Sequence, residues 1–212
     1  MASEIIEKLK WRYACKKFNP SKKLTEGQIQ ILKDAFNLTA TSYGLQPLKM
    51  LVISNPEIKE QLVPLSMDQP QVKDASHVLV LCRENGISPD YIKSHFNRVE
   101  DIRNTPREIL DPFQEYLLDS FAGKEAEEVS LWMSKQAYLA LGNLLTVCAL
   151  EGIDACPMEG FEPAKYDTLL GLKEMGLTSV LVLPVGYRAD DDLFSELKKV
   201  RRGVAEVVIE MN

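Results

Sequence analysis

The stretch "AYLALGNLLTVCAL", residues 137–150, is apolar on nearly every side when it is wound as a helix. It is the second half of the longest predicted helix, which runs from about Lys124 to Leu150, with Gly152 just beyond as a stop signal. A helix that is apolar on every side is buried on every side. The stretch therefore predicts either the central core helix of the fold or one half of a dimer interface.

Helix and strand patterns alternate around this long helix. Helical spacing and capping signals predict helices at residues 3–10, from Thr25 with Gln28 as its capping box, from Asn55-Pro56, and from Ser88-Pro89 to about Arg103. Near-continuous apolar runs predict strands at residues 48–54, 76–82 and 178–186. Residues 204–211 are also predicted to form a strand, which could extend away from its own subunit and pair with a second one. Strands interspersed with helices indicate an α/β or α+β domain.

Composition narrows the classes of function. The chain has 212 residues and a net charge of −6, which argues against nucleic acid as the main partner. Its four cysteines are scattered and its two histidines are not at ligand spacing, so we expect no zinc site and a reducing compartment. No apolar run approaches the roughly 20 residues of a membrane span, and residues 1–10 have no apolar signal-peptide region. We therefore expect a soluble cytoplasmic protein.

The familiar catalytic motifs do not occur. The sequence has no GxGxxG and no GxSxG, and "GLKEMG" at 171–176 lacks the Lys-Ser/Thr that a phosphate-binding loop requires. His77 precedes a predicted strand, where a packed or capping histidine is expected rather than a catalytic one. An enzyme with no nucleophile constellation and no metal set borrows its chemistry from a cofactor.

Positive charge gathers at both ends of this acidic chain. "KWRYACKKF", residues 10–18, and "LKKVRR", residues 197–202, hold four cations each. They are either two solvated faces or two halves of one anion site. Arg12 and Lys16 would share a face if their segment is helical. Arginine by its fork and lysine as a point charge are the usual pairing for a terminal phosphate, so a phosphate-bearing cofactor would explain both clusters.

A third stretch, "CPMEGF" at residues 156–161, combines Pro157, which has no N–H, with Gly160, which permits a positive φ. The peptide units of Glu159 and Gly160 could point outward as hydrogen-bond donors. The alternative is a plain turn between a helix and a strand.

Five stretches in collinear order together resemble the FMN-dependent nitroreductase family, especially its oxygen-insensitive NAD(P)H nitroreductase and dihydropteridine reductase group. They are "SEIIEKLKWRYACKKF", "KDASHVLVLC", "LWMSKQAYLALGNLL", "IDACPMEGF" and "GLKEMGLTSVLVLPVGY". The resemblance spans nearly the whole chain. It implies a single FMN-binding domain over residues 1–212, with an α+β fold in which helices flank a mixed sheet. It also implies an intertwined homodimer, with the long central helix at the interface and FMN between the subunits.

The resemblance also assigns site residues. Arg12, Lys199 and Arg201 would hold the FMN phosphate, beside Tyr13 and Ala14, and Lys16 would reach the pyrimidine end of the flavin. Pro157, Met158, Glu159 and Gly160 would run along the ring, with the Glu159 and Gly160 amides facing N5 and O4. Asp68 and Gln71 would approach the ring edge, and Thr41 and Ser42 would come from the other subunit. Phe113, Tyr116 and Phe121 would form the aromatic wall of a substrate lid at residues 104–122.

The sequence departs from the family pattern at a few positions. Ala14 stands where a hydroxyl residue commonly meets the phosphate, so one contact is expected to be lost. Gln71 stands where close relatives have a second lysine near the flavin, Gly44 where they have asparagine, and Leu48 where they have tryptophan.

The implied function is transfer of electrons from NADH or NADPH through FMN to nitroaromatic or quinone acceptors, by a ping-pong mechanism and without a metal. Two alternatives stay open. One is a non-catalytic FMN-binding protein with a sensing role, and the other is a specialised flavin enzyme on the same fold, a dehalogenase or a dehydrogenase.

Overall fold

The computed structural model describes residues 3–211, which form an α+β fold. Its strands are β1 (Leu48–Ile53), β2 (His77–Glu84), β3 (Asp154–Ala155) and β4 (Leu177–Gly186). Its helices are α1 (Glu4–Trp11), α2 (Glu26–Asn37), α3 (Pro56–Leu62), α4 (Gln71–Asp74), α5 (Pro89–Arg103), α6 (Arg107–Ala122), α7 (Ala126–Leu150), α8 (Pro163–Leu169) and α9 (Val204–Val207). Short 3₁₀ turns lie at Ser42–Gly44, Pro64–Ser66 and Leu193–Glu196.

The four strands form one sheet in the order β1-β2-β4-β3. All three neighbouring pairs are antiparallel, and β2 and β4 occupy the centre. The mixed character expected of the sheet is limited, within residues 3–211, to one parallel bridge between Ala14 and Ala155. That bridge matters for the site, because it attaches the segment after α1 to the edge of the sheet.

Apolar side chains alternate between the two faces of the sheet, as the two-residue period of a strand requires. Leu79 and Leu183 face α7 and belong to the same buried cluster as Leu144 of that helix. Val78 and Val182 face the opposite side, where they belong to the same buried cluster as Phe18. Both faces are therefore covered, which explains why the strand sequences are apolar almost throughout.

The long helix α7 has two apolar sides with different environments. Met133, Ala137 and Leu144 are fully buried against the rest of the chain. Leu131 and Leu139, on the other side, remain 57% and 54% exposed. The helix thus serves as the core helix on one side, and its predicted role in an interface concerns the side that this chain leaves uncovered.

One local prediction is wrong, and one condition set by the sequence is not met. The predicted strand at 204–211 is a short helix, Val204–Val207, followed by irregular chain. Strand propensity is context-dependent and a strand needs a neighbour; none of the strands in the described chain lies beside this segment. The residues after α1 are also not helical, because α1 ends at Trp11 and Arg12 is extended with φ −68° and ψ 143°. Arg12 and Lys16 therefore do not share a helical face.

The helices described between residues 3 and 211 include none that is long and apolar enough to cross a lipid bilayer.

Candidate functional site

The two basic stretches, at opposite ends of the sequence, line one cavity of about 390 Å³. Arg12, Tyr13, Ala14 and Lys16 contribute from the first stretch, and Lys198, Lys199 and Arg201 from the second. The structure thus supports two halves of one site over two separate solvated faces. Lys199 Nζ also donates a hydrogen bond to the carbonyl oxygen of Arg12, so the two stretches are in direct contact.

Cations that line this cavity disfavour the charged forms of Arg12 and Lys199. Burial and then the neighbouring Arg201 guanidinium lower the pKa of Arg12. Burial, followed by Arg12 and Arg201, lowers the pKa of Lys199. An opposite charge favours the ionised form of each group, so a bound anion would relieve this repulsion. The arrangement is typical of a phosphate or carboxylate site.

Asp192 joins the two sides of the cavity. This carboxylate is buried, with 4% exposure, and its Oδ2 accepts hydrogen bonds from the Tyr13 hydroxyl at 2.7 Å and from the Lys16 and Lys17 amides at 2.9 and 3.0 Å. Its Oδ1 accepts from the Phe194 amide at 3.1 Å. Sequence reasoning missed Asp192, because none of its partners in the first stretch lies within 170 residues of it along the chain.

Arg188 supports the wall of the same cavity from behind. Its Nε donates to the buried Asp154 carboxylate at 2.8 Å, and its guanidinium lies 4.5 Å from the Trp11 ring centre and 4.6 Å from that of Tyr13. Two aromatic rings and a buried carboxylate are strong partners for an arginine. This contact, also unforeseen in the sequence, orders the aromatic residues that flank Arg12.

The turn at residues 157–160 continues from the same sheet edge. Met158 exchanges backbone hydrogen bonds with Val182 at 2.8 and 3.1 Å, which fixes the turn against β4. Within residues 3–211, the backbone N–H groups of Glu159 and Gly160 donate no hydrogen bond. The Glu159 carboxylate accepts from the Tyr138 hydroxyl of α7 at 2.6 Å. Two adjacent free donors on an anchored turn are suited to a ligand with ring acceptors.

The loop at residues 67–71 lies against this turn. Gln69 Nε2 donates to the Gly160 carbonyl at 3.1 Å, and a Cβ on Gly160 would come within 3.2 Å of Met67 Sδ. Asp68 has a positive φ of 53°. Gln71 is buried, and its Oε1 has no hydrogen-bond partner within the described residues. A buried amide oxygen without a partner is costly, which indicates that a donor is missing from this chain alone.

Thr41 and Ser42 lie apart from the basic cavity. The Thr41 hydroxyl accepts from the Gln46 amide at 3.0 Å, and the Ser42 amide donates to Gln136 Oε1 at 2.9 Å. Thr41 instead lines a cavity of about 750 Å³ with Arg98 and Arg103. Their predicted contribution to the site of a second subunit stays a prediction.

The three residues of the predicted aromatic wall differ in their exposure to solvent. Phe113 and Tyr116 stack with ring centres 6.2 Å apart and are 45% and 56% exposed. Phe121 is only 8% exposed, because its ring packs edge-on against Trp132 at 5.2 Å. Phe121 therefore belongs to the core of this chain, and its burial argues against the predicted role in contacting substrate.

No group of three or more histidine, cysteine, aspartate or glutamate side chains in the part of the chain that the structure describes could hold a metal ion. His77 is half-buried and hydrogen-bonds Ser76 Oγ through Nδ1 at 3.0 Å, as a packed histidine does.

Known proteins resemble this chain in sequence and in fold. The nitroreductase family model matches residues 9–187. The oxygen-insensitive NAD(P)H nitroreductase of Enterobacter cloacae is 32% identical over 216 residues, covering 98% of this chain and 99% of that protein. A nitroreductase-like protein from Streptococcus mutans has the same fold, with a TM-score of 0.86 at 22% identity and 100% coverage of both chains. A candidate nitroreductase from Exiguobacterium sibiricum, solved in complex with FMN, gives a TM-score of 0.83 at 21% identity over 100% of this chain and 99% of that one.

Proposed function

This chain belongs to the nitroreductase family, and from that premise we propose that residues 1–212 form one FMN-binding NAD(P)H oxidoreductase domain. Its proposed acceptors are nitroaromatics and quinones, and its proposed location is the cytoplasm. The observation that carries the proposal is the union of two distant basic stretches in one cavity of about 390 Å³. A phosphorylated cofactor accounts for both stretches at once.

The residues present fit FMN in three ways. Arg12, Lys199 and Arg201 form a cation cluster whose mutual repulsion a phosphate would relieve. The unpartnered Gln71 Oε1 can accept a hydrogen bond from a flavin ring N–H. The free amides of Glu159 and Gly160 can donate to ring acceptors.

Each group would have a distinct task. Arg12, Lys199 and Arg201 would bind the phosphate, with Tyr13 and Ala14 beside them. Lys16 would place a cation near the pyrimidine end of the ring, and the Glu159 and Gly160 amides would orient its opposite edge. FMN held there would supply the two-electron redox chemistry between the nicotinamide and the acceptor. Phe113 and Tyr116, which are exposed and stacked, would cover a flat acceptor.

The proposed active unit is a homodimer. Thr41 and Ser42 would complete the site of the partner subunit, since they do not line the basic cavity of their own chain. The uncovered side of α7, with Leu131, Tyr138 and Leu139 about half exposed, offers an apolar surface for that contact.

The visible spectrum of the purified protein tests the proposal directly. We expect a yellow protein with about one FMN per chain, as in one site per subunit, bleached by NADH or NADPH without oxygen and quickly recoloured by a quinone. A colourless protein that cannot be reconstituted with FMN would overturn the proposal. Flavin that binds but is not bleached would favour the sensing alternative.

Steady-state kinetics test the order of the reaction. If the nicotinamide and the acceptor use one pocket in turn, double-reciprocal plots at several acceptor concentrations should be parallel. Intersecting lines would contradict the ping-pong order. Turnover on a panel of nitroarenes and quinones, compared with halogenated and saturated substrates, separates the proposed activity from a specialised dehalogenase or dehydrogenase.

A further inference from the structure

Asp192 is a buried carboxylate that binds the first basic stretch of the cavity and also Phe194, which lines the cavity just before the second stretch. On one side it accepts hydrogen bonds from the Tyr13 hydroxyl and from the amides of Lys16 and Lys17. On the other side it accepts from the Phe194 amide, in the first turn of Leu193–Glu196. That turn leads directly into the residues that carry Lys199 and Arg201. One side chain thus fixes the backbone on both sides of the cavity.

The charge of Asp192 has the wrong sign for binding an anion. A carboxylate near a phosphate repels it, and would weaken binding if charge were its only effect. Burial alone acts to raise the pKa of Asp192, but the hydrogen bonds from Tyr13, Lys16, Lys17 and Phe194 outweigh it, and the pKa lies below its ordinary value. The group is therefore ionised at neutral pH beside a site proposed to bind a ligand of the same charge sign. Geometry, rather than charge, must explain what it does there.

We propose that Asp192 is a positioning residue for the phosphate site: its hydrogen bonds to residues 13–17 and to Phe194 set the distance between the two cationic halves. This inference rests on the proposed function, because it takes the phosphate of FMN as the ligand. Asparagine is a sharp probe of it. An amide has one oxygen, so whichever way it turns, its NH₂ faces at least one N–H or O–H donor that the carboxylate accepted.

The test compares FMN with riboflavin, which lacks the phosphate, by fluorescence titration of the apoprotein. We expect Asp192→Asn to weaken FMN binding about tenfold or more, as the loss of charge-assisted contacts does, and riboflavin binding far less. Tyr13→Phe removes one donor and should weaken FMN in the same sense by a smaller factor. Asp191→Asn is the matched control, because Asp191 is exposed and its ion pair is with the Lys17 side chain. Its FMN-to-riboflavin ratio should equal that of the wild type.

Two outcomes would overturn the inference. Equal weakening of both flavins would mean that Asp192 only stabilises the fold, and tighter FMN binding would mean that its charge dominates. If Asp192→Asn does not fold, the flavin ratio of Tyr13→Phe decides between the same outcomes. Wild-type protein that binds no FMN would instead refute the proposed function, which keeps the two failures distinct.

Discussion

Arg12, Lys199 and Arg201 illustrate at the scale of single residues how a cation site is assembled. The three charges come from the two ends of the chain; besides burial, Arg201 lowers the pKa of Arg12, and both arginines lower the pKa of Lys199. Such repulsion has a cost in the free protein, which a bound anion recovers. Binding specificity for a phosphate should therefore depend on these three side chains individually.

Removal of these cations should weaken FMN more than riboflavin. We expect Arg12→Ala, and the double variant Lys199→Ala with Arg201→Ala, to weaken FMN roughly tenfold to a hundredfold per residue, the range for a lost charge-assisted hydrogen bond of about 1.5–3 kcal/mol. Arg202→Ala is the control, because Arg202 is not among the residues that line the cavity. Equal losses for both flavins would show that the three residues do not contact the phosphate.

Lys16 should set the redox potential of bound flavin. Reduction adds negative charge near the pyrimidine ring, and Gln71 stands where relatives have a second lysine, so Lys16 is the main proposed cation there. We expect Lys16→Ala to lower the midpoint potential by roughly 20–60 mV, which corresponds to about 1–3 kcal/mol of screened attraction for a two-electron couple. Gln71→Lys should raise it. Xanthine-oxidase dye titrations measure both variants, and unchanged potentials at full FMN occupancy would limit Lys16 to a binding role.

At the scale of elements, sequence patterns predicted the helices and strands that depend on neighbouring residues along the chain. The strands β1, β2 and β4, the Thr25–Gln28 capping box and α7 all follow from local periodicity and capping, and the structure confirms them. The prediction of a strand at 204–211 was wrong, because residues with strand propensity form a strand only where a neighbouring strand can pair with them. The Asp192 and Arg188 contacts could not be foreseen, since no local pattern reports a partner more than 30 residues away.

Phe121 shows the same limit within the candidate site. Its aromatic character, together with its place in the predicted lid, suggested a substrate contact. The ring packs instead on Trp132 of α7, eleven residues further along the chain. Helix phase decides which ring of α6 faces the core and which faces out, and the resemblance alone did not fix that phase.

Lys59 links α3 to the end of α4, and its titration makes the stability of the fold depend on pH. Its side chain is 2% exposed, and its Nζ donates to the Ala75 carbonyl at 2.6 Å, just beyond the end of α4. Burial, followed by the charge of Lys23, lowers the pKa of Lys59 to about 8. Between about pH 8 and the ordinary lysine value of 10.5, the folded chain has lost this proton while the unfolded chain still holds it. This residue's contribution to stability therefore rises with pH through that window.

Urea unfolding of wild type and Lys59→Met at pH 7.5, 9 and 10.5 tests this linkage under reducing conditions. The wild type should gain stability relative to Lys59→Met by up to about 3 kcal/mol across the window, from 1.36 kcal/mol per pKa unit. The comparison cancels the titration of other groups, which both proteins share. The exposed Lys22→Met should keep the wild-type slope. Parallel curves for wild type and Lys59→Met would contradict the prediction.

At the scale of the whole molecule, apolar surfaces remain uncovered within residues 3–211, and two of them concern assembly. One is the outer side of α7, and the other is the C-terminal arm, residues 203–211, where Ile209 and Met211 are 88% and 94% exposed. Contiguous apolar surface of this kind marks an interaction site. The arm begins two residues after Arg201, so the chain itself couples the placement of the arm to that of the cation cluster of Arg12, Lys199 and Arg201.

Truncation after Gly203 should therefore weaken the dimer and FMN binding together. We expect the wild type to be a dimer at micromolar concentration in light scattering and the truncated protein to dissociate more readily, with a lower FMN affinity. A chain that ends at Glu210 keeps most of the arm and should resemble the wild type. Loss of one property without the other, or a stable wild-type monomer, would show that the arm does not link the two.

The four cysteine thiols are expected to react slowly, which matters in a protein that carries out redox chemistry. All are at most 1% exposed, and burial raises the pKa of Cys15, Cys82 and Cys148 to about 12 and also raises that of Cys156. Thiols that stay protonated and out of contact with solvent react slowly with electrophiles. Cys156 immediately precedes the turn proposed to face the flavin, where reactive reduction products would emerge. The folded protein should therefore survive alkylating agents, and even its own products, that would rapidly modify the unfolded chain.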